Sequence, residues 1–235
     1  AAATSRTDLA PLVAATSFHA PGMIAKMAAT IEDISGGRLI LGLGAGWNEI
    51  EYRAFGFPFD HRASRFEEAL RIITSLVRTG SVDFRGEYYS AEQCELRPRG
   101  PRPNGMPIMI GTFHGERMMR LTAQHADQWN VWAQWTGNRA SGIAALCEKM
   151  DAICREVGRD PVTLERSAAV MVDFPGAYGR PGQAVPSLIG TPEELAEEFR
   201  AYAREGISHI QLYPDPCTVA GIEALAPALE LLDRG

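Results

Sequence analysis

No run of apolar residues in this chain of 235 residues approaches the roughly 20 that a membrane-spanning helix requires. An excess of basic residues is missing too: 23 Lys and Arg stand against 29 Asp and Glu, a formal net charge of −6. General binding to nucleic acid needs a basic face, so the net charge argues against that class of function. The N-terminus lacks a basic segment followed by an apolar one, so no signal peptide is read and cytoplasmic residence is expected. Cysteine is scarce, with Cys94, Cys147, Cys154 and Cys217 making the whole set. Cys147 and Cys154 fall on one predicted helix, about 10.5 Å apart along its axis, too far for a disulfide. Neither Cys-x-x-Cys nor His-x-x-x-His spacing occurs, so no metal site is expected and the thiols read as reduced packing residues.

What is present is the material of a globular enzyme. Hydrophobic residues make up 46% and charged residues 22% of the chain, ordinary values for a soluble domain. The length suits a single domain, 1–235, with one sizeable core. The most informative stretch runs from Gly36 to Trp47. A helix ends on the Gly36-Gly37 pair, where a left-handed residue meets no Cβ clash. The apolar run Leu39 to Leu43 reads as a buried parallel strand. It leads into Gly44-Ala45-Gly46, a turn almost free of side chains that either lets a ligand approach the backbone or simply closes tightly.

Around it, strand and helix segments alternate. Leu9 to Ala15 reads as a strand, and Ile24, Met27, Ala28, Ile31 and Ile34 place a helix over 22–35 with those residues on its inner face. Phe66, Leu70, Ile73 and Val77 mark a helix, with Ser64 and Glu67 at capping-box spacing. Val82 to Tyr89 reads as a small inserted hairpin. Strands follow at Ile108 to Gly111, Gln128 to Trp132, Ala168 to Val172 and Ile207 to Tyr213. Helices are expected at Glu116 to Ala126, across Ile143 to Val157, from Thr191 to Gly206 and from Ile222 to Leu232. Thr191, Pro192 and Glu194 have the chemistry of an N-cap, an N1 proline and an N3 glutamate. A Gly- and Pro-rich loop fills Pro175 to Pro186. This alternation argues a parallel α/β sheet with helices outside it.

The run Ile34 to Trp47, followed by Glu51-Tyr52-Arg53-Ala54-Phe55-Gly56, resembles the luciferase-like monooxygenase superfamily, and within it the deazaflavin-dependent oxidoreductases most. Pro107 to Gly111 with Leu121 to Asn130, Glu156 to Pro161, and Gly190 to Leu195 resemble further family segments in the family's order. The resemblance implies a TIM (β/α)8 barrel of bacterial luciferase-like type. Leu9 to Ala15 matches that barrel's third strand, so the expectation is an incomplete barrel, N-terminally truncated by two strand–helix units. It also implies coenzyme F420, with FMN as the alternative, and hydride transfer to a small organic substrate or, with FMN, monooxygenation, in a homodimer. A non-catalytic barrel remnant with a structural or interaction role is the competing expectation.

The same resemblance assigns site residues. Family members back the coenzyme ring with a bulge containing a non-proline cis peptide, which would fall near Leu12-Val13, give or take a residue; an ordinary buried strand is the other reading of these residues. Ala45, Gly46 and Asn48 would contact the ring or its ribityl-like chain, although Asn48 also reads as a helix N-cap. Gly111, Thr112, His114 and Gly115 would frame the phosphate ahead of a helix, and Val131 would line the coenzyme. Many relatives carry Gly-Gly after this strand, where Thr112 and Phe113 stand here. His19, Trp132 and Trp135 would wall the substrate, or serve as loop and core residues. The groups that protonate substrate in the family come largely from the first two units, so no catalytic acid or base is named.

Overall fold

The computed structural model describes residues 1–179 and 185–234; the middle of the loop expected over Pro175 to Pro186 lies outside the described residues. The chain divides into two compact units, Ala1–Gly111 with Glu116–Gln128, and Thr112–Gly115 with the stretch from Trp129 onward.

In the first unit, β1 (Ala14–Ala15) pairs parallel with β2 (Leu41–Gly44), Ala14 opposite Leu43 and Ala15 opposite Gly44. The strand expected over Leu9 to Ala15 is shorter than the apolar run. Leu9 makes one bridge to Leu39, and the intervening Leu12–Val13 peptide bond is cis, so the ladder resumes only at Ala14. β2 is buried along its whole length, as a strand covered on both faces must be.

Helix α1 (Pro21–Ser35) starts on proline and ends on Gly36 in the left-handed region, φ 66°. Its inner face is rotated from the expected one. Ile24, Ala25, Ala28, Ala29 and Glu32 are buried, whereas Met27, Ile31 and Ile34 are exposed. Glu32 goes inside because it has partners there. Its carboxylate accepts the Leu39 N–H at 3.1 Å and lies 3.3 Å from the Arg102 guanidinium.

Helix α2 (Glu49–Phe55) follows β2 and starts after Asn48, as the N-cap reading of that residue requires. Helix α3 (Arg62–Thr79) buries Phe66, Leu70, Ile73 and Val77 as the periodicity requires. Its expected capping box is absent: the helix begins at Arg62, so Ser64 lies inside its first turn. Glu67 instead pairs with Arg71 and Arg117, both at 2.6 Å. The hairpin is longer than expected, β3 (Ser81–Arg85) pairing antiparallel with β4 (Ser90–Glu95). β5 (Ile108–Gly111) adds parallel to β2, giving the order β1-β2-β5, and α4 (Glu116–His125) completes the unit.

The second unit contains β6 (Gln128–Trp132) from Trp129 on, α5 (Ala144–Glu156), β7 (Glu165–Asp173), α6 (Pro192–Arg204) and β8 (His209–Asp215). β7 and β8 run parallel in unbroken register from Ser167 opposite His209 to Asp173 opposite Asp215. The Asn130 amide ties the three strands together, donating to Ser167 Oγ at 2.9 Å and Gln211 Oε1 at 2.8 Å. The capping box of α6 is formed as the sequence predicts: Thr191 Oγ1 accepts from the Glu194 N–H and Glu194 Oε2 from the Thr191 N–H. The expected last helix is two, α7 (Val219–Glu223) and α8 (Ala226–Asp233). Pro227 has no N–H to continue a helix and sits instead in the first turn of the second.

Cys147 and Cys154 are buried on α5, and burial pushes both thiols above their ordinary pKa. Cys217 does not pack; it is exposed just beyond β8. Among the described residues no helix is long and apolar enough to cross a membrane.

Candidate functional site

Parallel strands of an α/β fold present their ligand-binding loops at their C-terminal ends. In the first unit two such ends, those of β2 and β5, meet at Val13, the residue immediately before β1. Gly44 closes β2 and Gly111 closes β5. A Cβ built on Gly44 would lie 2.8 Å from Val13 Cγ2, and one on Gly111 3.1 Å from the same methyl. Val13 therefore occupies the space that two ordinary side chains would need, and the Leu12–Val13 peptide that delivers it is cis. Leu12 is exposed, while Val13 is half-buried.

The chain then turns through Ala45 and Gly46, both half-buried. Gly46 has φ 76°, and a Cβ there would lie 2.1 Å from the Tyr52 hydroxyl oxygen, so only glycine fits. The Tyr52 hydroxyl donates to the Ala45 carbonyl at 2.7 Å, and Arg62 Nη1 donates to the Gly46 carbonyl at 3.0 Å. Asn48 is the N-cap of α2, its side-chain oxygen accepting the Ile50 N–H at 3.3 Å. His19 lies exposed just after the short 3-10 turn that follows β1.

Aromatic rings pack behind this turn. Tyr52 is fully buried between Phe18, 4.8 Å away by ring centroids, and Phe59, 5.1 Å away. The Arg62 guanidinium lies over Phe59 at 4.0 Å, within cation–π range. Neither Tyr52 nor Arg62 stands out in the sequence as a functional residue. The available signal was a tyrosine eight residues beyond the glycine that closes the strand, a distance that a turn and one helical turn can fold back on themselves.

The second unit holds the remaining expected residues. The Thr112 hydroxyl donates to the His114 carbonyl at 3.1 Å, which closes the loop on itself. Gly115 has φ 84° with nothing within 4 Å of a Cβ position. Phe113 stacks on Trp135, the rings 4.8 Å apart and 5° from parallel, and its ring centroid lies 4.1 Å from that of His114. Trp132 meets Tyr213 edge-on at 6.0 Å, and its ring N–H donates to Gln134 at 2.9 Å. Val131 is fully buried. Asn138 was missed by sequence reasoning. It is buried at φ 55°, and its amide both donates to the Met171 carbonyl and accepts the Met171 N–H, clipping the loop after β6 to β7.

A family model described as luciferase-like monooxygenase matches residues 1–179. The chain belongs to the luciferase-like monooxygenase family. Among curated relatives it is 30% identical over 165 residues to the pyrimidine monooxygenase RutA of Allorhizobium ampelinum, a match covering 68% of this chain and 44% of that protein. It is 34% identical over 165 residues to RutA of Cronobacter sakazakii, covering 68% and 47%. The luciferase-like chain thus matches less than half the length of those relatives. Its fold is also that of the coenzyme F420 dependent tetrahydromethanopterin reductase from Methanopyrus kandleri, with TM-score 0.77 at 17% identity over 95% of this chain and 82% of that one. The parallel α/β, barrel-type fold expected from the sequence is the fold of this family.

Proposed function

We propose that this luciferase-like chain binds a flavin-type coenzyme against Val13, Gly44, Ala45 and Gly111 and serves monooxygenation of a small organic substrate. One observation carries the reading: where the C-terminal ends of β2 and β5 meet Val13, no side chain among these four is larger than an isopropyl group. The residues fit a flat fused ring, which needs a backing that is apolar and free of bulk. Val13, seated in the room that Gly44 and Gly111 leave, would support the ring, Ala45 would let it lie close, and Gly46 would bring backbone to its edge.

When bound, FMN supplies electrons for the reduction of dioxygen, whereas a deazaflavin supplies a hydride. The relatives at 30% and 34% identity carry the name pyrimidine monooxygenase, which favours FMN and makes a pyrimidine ring the first substrate to try. F420-dependent hydride transfer is the second reading, supported by the likeness of the Ile34 to Gly56 and Pro107 to Gly111 segments to deazaflavin-dependent enzymes. Incubation with reduced FMN and a pyrimidine such as uracil, with and without air, tests the first reading. Oxygen-dependent gain of one oxygen atom by the pyrimidine supports it. Turnover with reduced F420 that is indifferent to air supports the second. A chain inert under both conditions, and binding neither coenzyme, would be the structural remnant.

A further inference from the structure

Two consecutive carbonyls in the turn after β2 are each held by a side chain. Ala45 C=O accepts from the buried Tyr52 hydroxyl, and Gly46 C=O from Arg62. The cis bonds of the described chain lie elsewhere, so both peptides here are trans. In a planar trans peptide the N–H points opposite to the C=O. The N–H of Gly46 shares a plane with the Ala45 carbonyl, and the N–H of Trp47 with the Gly46 carbonyl. The Gly46 N–H is therefore turned away from the Tyr52 hydroxyl and the Trp47 N–H from the Arg62 guanidinium, and among the described residues neither N–H has a hydrogen-bond acceptor.

We infer that Tyr52 and Arg62 are positioning residues, which fix the Gly46 and Trp47 N–H groups as a rigid pair of donors for oxygen atoms of the bound coenzyme. This rests on the coenzyme reading given above. The arrangement has the parts that the task requires. Phe59 lies between the Tyr52 ring and the Arg62 guanidinium and touches both, so the two donors are braced by one ring. Gly46 at φ 76° cannot be replaced by a residue with a Cβ without striking the Tyr52 hydroxyl, so turn and tyrosine specify each other. An exposed polar turn left alone would sample many orientations. Donors fixed in advance bind an acceptor without that ordering cost.

The test uses Tyr52→Phe, which keeps the ring packing against Phe18 and Phe59 and deletes only the hydroxyl, and Arg62→Gln. Binding of FMN and of F420 is measured by fluorescence titration, and backbone ¹⁵N relaxation of Gly46 and Trp47 is measured in the coenzyme-free proteins. Loss of one hydrogen bond that aligns a donor should weaken coenzyme binding about fivefold to tenfold and lower the order parameters of both N–H groups. Wild type that binds while Tyr52→Phe and Arg62→Gln bind equally well overturns this proposal and leaves the coenzyme reading standing. Wild type that binds neither coenzyme overturns both. If Tyr52→Phe failed to fold, the Arg62→Gln result alone would decide.

Discussion

The Cγ2 methyl of Val13 stands 2.8 Å from where a side chain on Gly44 would begin, and 3.1 Å from the corresponding point on Gly111. Both distances are shorter than ordinary carbon–carbon contact, so either substitution must push Val13 out of place. Gly44→Ala is expected to destabilise by the ~1–3 kcal/mol typical of overpacking, and Gly111→Val by at least as much. Thermal denaturation checks this. Combining Gly44→Ala with Val13→Ala should recover part of the loss, because residues that share one space do not behave additively. Additive losses would show that Val13 and Gly44 do not compete for it.

Gly42 makes a harsher demand. A Cβ there would lie 2.0 Å from the Pro11 carbonyl oxygen and 2.9 Å from Met109 Cε. A backbone oxygen cannot rotate aside as a side chain can. Gly42→Ala should cost more than Gly44→Ala, and chemical denaturation of the two variants under identical conditions ranks them directly.

The hairpin of β3 and β4 is fastened by one carboxylate. Glu68 accepts the backbone N–H groups of Glu87, Tyr88 and Tyr89 at 2.8, 2.9 and 2.9 Å. Burial raises its pKa, but the three N–H donors outweigh burial and leave it below the ordinary 4.5. A carboxyl whose folded pKa is depressed contributes stability that is fully present above the unfolded value and disappears as pH falls through the folded one. Wild type should therefore melt higher than Glu68→Gln at neutral pH, and the gap should close as pH falls below 4.5. A gap that stays constant into acid would contradict the assignment.

Tyr202 is fully buried on α6, and its hydroxyl has no hydrogen-bond partner among the described residues. Burial, then the nearby Glu198 carboxylate, pushes the phenol above its ordinary 10.0, so it stays protonated at any working pH. An unsatisfied buried polar group costs roughly 1–3 kcal/mol. Tyr202→Phe should thus hold or raise the melting temperature, by a few degrees at about 1 kcal/mol. A marked fall would mean that the hydroxyl has a partner, such as a buried water.

Elements specified by neighbouring residues were legible in the sequence. The α6 capping box needs only Thr191, Pro192 and Glu194, and the burial of β2 follows from its own apolar run. What escaped depended on distant partners. Periodicity puts Ile31 and Ile34 inside α1, yet Glu32 goes inside because Leu39 and Arg102 are there to satisfy it. Ser64 and Glu67 have the spacing of a cap, but Arg117 takes both side chains, donating to Ser64 Oγ at 3.0 Å and to Glu67 at 2.6 Å. Within the candidate site, the bareness of Gly44-Ala45-Gly46 was readable in the residues themselves, whereas Val13 entered only through the family resemblance. The roles of Tyr52, Arg62 and Asn138 were not, because each acts by reaching across a turn or a loop to a backbone group that carries no sequence signature.

The most direct test of the account is whether a flavin-type coenzyme lies against Val13. Wild type and Val13→Trp, which fills that space with an indole, are titrated in parallel with FMN and F420, with circular dichroism confirming that both are folded. Saturable binding of one coenzyme near one per chain, lost in folded Val13→Trp, is the predicted result. Wild type that binds neither, or binding that Val13→Trp leaves unchanged, would contradict the account.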